Sequence, residues 1–156
     1  MKKKVLKGIG IGVATLIILA FVLMKVSGKS PIAFGMHQAI AETEHLAIGG
    51  YDAVAYHTDN LAIKGENNLT ADYKGSTWLF ATEANRDLFT ANPQAYVPAF
   101  GGHCAYACSK GVAAAGNPLS FSKIEGKVFL FADDEFKEKF SNEGKEAQQA
   151  ASANWK

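Results

Sequence analysis

The apolar run from Val5 to Val26 divides this chain before anything else in it can be read. Lys2, Lys3 and Lys4 precede the run, Lys7 and Lys25 interrupt its ends, and no charge occurs from Gly8 to Met24. Such a run is long for a signal-peptide core and slightly short of an average spanning helix, inside the tolerated range. Basic residues ahead of it favour a cytoplasmic N-terminus and translocation of the rest. Two outcomes stay open. Residues 1–29 are either an uncleaved membrane anchor or a signal cleaved near Val26-Ser27-Gly28. The first gives a single-pass inner-membrane protein whose C-terminal domain lies in the periplasm or outside the cell; the second gives a secreted one.

The division also changes the charge. The first 29 residues hold six of the 16 basic side chains and none of the 15 acidic ones, leaving the body at a net −5. A mildly acidic body argues against nucleic acid, which requires a basic footprint. With only two cysteines the domain is not a disulfide scaffold and must rely on an apolar core. A body of about 125 residues is large enough to bury one.

Residues 30–45 read as a linker, with Gln38 to His45 able to form a turn or two of helix. The domain proper, 46–156, opens at Leu46. Gly49-Gly50 and Asp52 suggest a turn, and Ala53 to His57 a short apolar strand. Ile63 to Gly65 and Thr70 to Tyr73 read as strands around a polar loop, Glu66 to Asn68. Thr77 to Ala81 follows as a strand with Trp78 and Phe80 on one face. Thr82 is placed to cap a helix in which Ala84, Leu88 and Ala91, widened by Phe89, form the apolar stripe. Asn92-Pro93 ends it.

Val112 to Pro118 reads as a surface loop. Leu119 to Ile124 and Lys127 to Phe131 flank Glu125-Gly126, a hairpin signal. Asp133 or Asp134 caps a last helix whose core face carries Phe136, Phe140, Ala147, Ala150 and Ala151, weakened at Gly144 by about 1 kcal/mol. Trp155 is expected to dock. Strand connections read as hairpins as often as crossovers, which favours α+β over a parallel α/β sheet. The pattern predicts a small single α+β domain of short antiparallel strands with about three helices, preceded by an N-terminal hydrophobic helix.

Chemistry concentrates in Phe100 to Gly111, written FGGHCAYACSKG. Cys104 and Cys108 stand four apart, so a helical turn would put both sulfurs on one face. His103 is then rotated about 100° from Cys104 and becomes a supporting group. A third ligand must come from elsewhere, and His57 is the leading candidate ahead of His45 and the Met36-His37 pair. Thiolates with imidazole suit copper, or zinc. Three alternatives stand beside a metal: a disulfide, inert buried thiols, or a thiol pair that cycles in exchange reactions. No catalytic constellation is visible. Carboxylates do not converge, Ser109 and Ser120 lack a nucleophile elbow, and no phosphate-binding loop is present.

The combination Gly50-Tyr51-Asp52, Val54-Ala55-Tyr56, Lys64-Gly65, Tyr73 with Gly75, and Asn85-Arg86-Asp87 with Phe89 resembles the YHS-domain family. The likeness continues through Pro93, Tyr96, Pro98, Gly101-Gly102, Cys104-Ala105 and Ala153-Asn154-Trp155, covering roughly Leu46 to Lys156. It implies a small α+β domain related to treble-clef-like metal modules and associated with heavy-metal or copper handling. In the exported branch of the family that the chain resembles, one cysteine at position 104 is usual. Position 108 is commonly aliphatic, so Cys108 departs from the pattern and no two-thiol site carries over. The functional expectation is an exported, membrane-tethered domain binding copper or another soft metal as carrier or sensor, with Cys104, Cys108, His103 and His57 as candidate ligands. Its competitors are a thiol–disulfide oxidoreductase and a non-catalytic interaction module.

Overall fold

A computed structural model describes residues 18–20, 22–23, 29–35 and 37–155. Most of the expected N-terminal hydrophobic helix lies outside these residues. Residues 18–20 and 22–23 are helical, and among the described residues no helix is long and apolar enough to cross a membrane.

The fold is α+β. In chain order it contains β1 (Ser30–Pro31), β2 (Glu42–Thr43), β3 (Leu46–Ala47), α1 (Ala55–Thr58), β4 (Glu66–Tyr73) and β5 (Ser76–Phe80). Then follow α2 (Glu83–Ala91), α3 (Pro93–Tyr96), α4 (Ala105–Ser109), β6 (Val112–Ala113), β7 (Asn117–Ile124), β8 (Lys127–Phe131) and α5 (Asp134–Asn154). The strands make a sheet of order β2-β3-β5-β4, a β7–β8 hairpin and a small β1–β6 pair. Pairing is antiparallel except between β3 and β5, which run parallel through Leu46 and Thr77.

Residues 30–45 are not a featureless linker. Ser30 and Pro31 pair with Ala113 and Val112, and Ile32, Ile40 and Ala41 are buried. Three apolar side chains removed from water outweigh the local Gly and Pro content that suggested a connector. The expected helical turn at Gln38 to His45 is also absent, since β2 occupies Glu42–Thr43.

Further expectations fail beyond Asp52. Ala53 to His57 is not a strand but leads into the single turn α1, because the Asp52 carboxylate collects its first amides. Asp52 Oδ1 accepts from the N–H of Val54 (2.8 Å) and of Ala55 (3.2 Å). Glu66 to Asn68 belongs to β4 rather than to a loop, with a register shift between Glu66 and Thr70 absorbing the polar residues. Helix α2 is capped as expected, Thr82 Oγ1 accepting from Asn85 N–H at 3.1 Å. Its buried side is different, however. Ala84, Leu88 and Ala91 are exposed, and Phe89 alone is buried. The Phe89 ring reaches Trp78 and Phe80 at 5.0 Å and Tyr73 at 5.9 Å. Burial of this one aromatic contributes about 2–3 kcal/mol.

Two core clusters result. The first gathers Val54, Tyr56, Trp78, Phe80 and Phe89 with Val128 and Leu130. The second gathers Ile32, Cys104, Cys108, Phe129, Phe131, Phe140, Ala147 and Ala151. Hairpin β7–β8 turns at Glu125 (φ 50°) and Gly126 (φ 78°) as expected, and it contributes to both clusters. Asp133 caps α5 by accepting from Phe136 N–H at 2.9 Å. Gly144 does more than weaken that helix. At φ 58°, ψ −129° it interrupts the helix, which resumes to place Ala147 and Ala151 in the core.

Candidate functional site

Three consecutive left-handed residues set up the Phe100–Gly111 stretch: Phe100 (φ 57°), Gly101 (62°) and Gly102 (84°). Glycine is required twice here. A Cβ on Gly101 would lie 1.9 Å from the Ala39 carbonyl oxygen, and one on Gly102 2.4 Å from Ile48 Cγ2. The tight reversal is then pinned by backbone bonds. Ala41 N–H donates to Gly101 O (2.8 Å), Gly116 N–H to Gly102 O (3.1 Å) and Cys104 N–H to Ala114 O (2.8 Å).

Cys104 begins the single turn α4, and Cys108 N–H donates to Cys104 O at 2.9 Å. The two cysteines therefore lie one helical turn apart, as their spacing predicts. Both are free thiols, 1% and 0% exposed, and both belong to the second core cluster. The disulfide alternative is thus not realised in this structure. Burial, with Cys104 as a second cause, pushes the Cys108 thiol up to about 12. The end of α4 is tied down by Asn154, whose Nδ2 donates to Cys108 O (3.0 Å) and Ser109 O (3.2 Å).

His103 points away from the thiols toward an aromatic corner. Its Nδ1 lies 2.8 Å from the Phe100 carbonyl oxygen, so that nitrogen carries the proton and Nε2 keeps its lone pair. The ring centroid stands 5.0 Å from that of Trp155 and 6.4 Å from that of His37, and Trp155 in turn is 4.4 Å from His37. Burial holds His103 below the usual histidine range, against the Phe100 carbonyl and with a small contribution from His37. Trp155 docks as expected.

His57 sits on α1, edge-on to Tyr96 at 5.5 Å, and its Nε2 is buried without a hydrogen-bond partner. Burial, and next the charge of Lys123, lower its pKa. The fold thus brings Cys104 and Cys108 together, keeps His103 beside them with its ring directed elsewhere, and places His57 on a different element. His45 is exposed, and Met36 lies outside the described residues. Among the described residues, no three His, Cys, Asp or Glu side chains are arranged to hold one metal ion.

Two residues carry more than their sequence context suggests. Asp52 is wholly buried, and besides the two amides of α1 it accepts at Oδ2 from Ala81 N–H (2.8 Å) and Asn85 Nδ2 (2.7 Å). Asn154 is the tie between α5 and the cysteine turn. The one sequence signal for Asp52 is its residue type, since aspartate commonly accepts from the first amides of a helix. Asn154 was marked only by its place in the Ala153-Asn154-Trp155 motif, with nothing to show what it ties.

Comparison with protein families returns one decisive finding: residues 54–100 match the YHS domain. The chain contains a YHS domain. The matched segment runs from α1 through α3 to the left-handed Phe100, taking in Val54, Tyr56, Trp78, Phe80 and Phe89 of the first core cluster. It stops before His103, Cys104 and Cys108. No curated protein and no solved structure matches the chain.

Proposed function

We propose that this YHS protein is an exported, membrane-tethered module that binds copper as a carrier or sensor, without catalysis. The observation carrying the reading is the pair of reduced thiols held one turn apart in a dry, apolar cluster. Thiolate sulfur is a soft ligand that selects Cu(I). Because Cu(I) accepts two ligands in a line, it suits a site at which no third side chain converges. Zinc, which takes four ligands in structural sites, suits it poorly. Cys104 and Cys108 would hold the ion, each releasing its proton as it binds. His103 orients the entry to the turn through its bond to Phe100, and His57 takes no part. The lysines ahead of the apolar run, Lys2 to Lys4, support the inner-membrane tether with the domain in the periplasm or outside the cell.

The test is anaerobic loading of the full-length chain with Cu(I), followed by copper analysis and X-ray absorption. One copper per chain with sulfur-only neighbours is expected, lost in Cys104→Ala and in Cys108→Ala. Equal copper in the double alanine variant and the parent chain would exclude the site.

A second reading is favoured by the near-zero exposure of both sulfurs: the thiols fill core volume, and the domain is a non-catalytic interaction module. It predicts no stoichiometric copper in any variant. Thiol–disulfide exchange finds no support in this geometry, since exchange needs an accessible, readily ionised thiol.

A further inference from the structure

The cavity between α1, α3, the β7–β8 turn and the end of α5 has a volume of about 380 Å³ and uses neither cysteine. Its size falls within the range of small-molecule sites. Phe100 and Trp155 form an aromatic corner, their centroids 5.9 Å apart at 62° to one another, and Val97 and Phe129 extend the apolar wall. The polar side consists of His57, Lys127, Gln94 and Ser152, and among the described residues no carboxylate side chain lines the space. This is unusual for a body that carries a net −5 outside its first 29 residues.

We infer that this cavity binds a small aromatic carboxylate, its ring on Phe100 and Trp155 and its carboxylate on Lys127 and His57. Three features converge on that class. A cation without a nearby carboxylate in the lining favours an anion. The aromatic corner favours a flat apolar body in offset or edge contact. The buried Nε2 of His57 has no partner in the protein, and a buried nitrogen left unpaired is costly until a ligand atom meets it. Lys123, whose Nζ donates to the His57 carbonyl oxygen at 3.0 Å, adds positive charge on the same side. The Tyr96 backbone holds the ring proton on Nδ1, so Nε2 offers a lone pair and meets the carboxylate by taking up a proton as the ligand binds.

Hydrocinnamate is the probe and hydrocinnamyl alcohol its uncharged counterpart, each titrated into the full-length chain while the indole N–H resonances are followed. The Trp155 signal is expected to shift saturably with the carboxylate, while that of the fully buried Trp78 stays put. The alcohol should bind about tenfold more weakly, the size of one lost charge-assisted hydrogen bond. Lys127→Ala, at an exposed position that leaves folding intact, and His57→Gln should each weaken hydrocinnamate binding by about fivefold to tenfold. No saturable shift of Trp155, equal affinity for the alcohol, or unchanged affinity in both variants would each overturn the assignment. Copper loading plays no part in the measurement, so the outcome stands apart from that of the thiol pair.

Discussion

Asp52 and the Cys104–Cys108 pair are equally hidden from solvent, one in the half of the molecule built around Phe89 and the other in the half built around Phe140. They differ in what meets them. Asp52 receives four donors from three segments: the entry to α1, the end of β5 and the side chain of Asn85. The two sulfurs are surrounded by Phe, Ala and Ile side chains. A buried polar group whose lone pairs are all engaged is a structural tie, since its burial is already compensated within the fold. A thiol in an apolar cluster is different, because it can be inert filling or a ligand whose partner comes from outside. Only the second kind leaves room for function, and the matched family segment contains the first kind's surroundings but not the thiols.

The sharpest way to break this contrast is to remove the tie. Asp52→Ala leaves three buried or part-buried N–H groups and the Asn85 amide without an acceptor, and should destabilise the protein by about 3–5 kcal/mol. Urea denaturation measures it, and a loss below about 1 kcal/mol would mean that the hub is dispensable. Next in size is Gly101→Ala, which combines a positive φ with a backbone collision at Ala39 and should cost about 2–4 kcal/mol by the same measurement. If its cost were no larger than that of an exposed substitution, the close approach holding the cysteine turn would be wrong.

The thiol side responds more gently and in a pH-dependent way. Cys108→Ser puts a hydroxyl into an apolar cluster and should cost about 1–3 kcal/mol, more than Cys108→Ala. The Cys108 pKa is raised from 9.0 to about 12 on folding, so the fold favours the neutral thiol. That contribution is complete below pH 9.0, and it is lost as pH climbs through about 12. Denaturation midpoints across this alkaline range should fall less steeply in Cys108→Ala. They should still fall, because buried Tyr56 is pushed in the same direction and remains. An identical alkaline slope in variant and parent would show that Cys108 is solvated. The smallest effect belongs to Leu88→Gln, expected within about 0.5 kcal/mol because Leu88 is 45% exposed. A larger loss would restore the stripe through Ala84, Leu88 and Ala91.

Much of the local architecture was legible along the chain. Thr82 and Asp133 cap their helices, Glu125-Gly126 turns the hairpin, and the four-residue spacing of the cysteines becomes one turn of α4. These features depend on neighbours within a few residues. What was misread depends on distant partners. Asp52 converts an apparent strand into α1 only in concert with Ala81 and Asn85. Ile32 and Ile40 become core only because Gly111 and Gly101 lie beside them, accepting from Ile32 N–H at 3.0 Å and Ala41 N–H at 2.8 Å. His57 looked like the third ligand by residue type, yet its helix faces another cavity.

The amino-acid sequence by itself therefore determined the periodic elements, their caps and turns, the charge separation between residues 1–29 and the body, and the pairing of the thiols. All of these arise from short-range sterics, hydrogen bonding and composition. Tertiary structure alone decided which face of α2 is buried, that Asn154 holds the cysteine turn, and that the histidines leave the thiols for the aromatic surroundings of Trp155 and Tyr96. These outcomes require residues beyond the reach of any one element to be brought into contact, as with Asn154 and Cys108, separated by 46 positions. No local pattern encodes that meeting; the joint burial of both core clusters does.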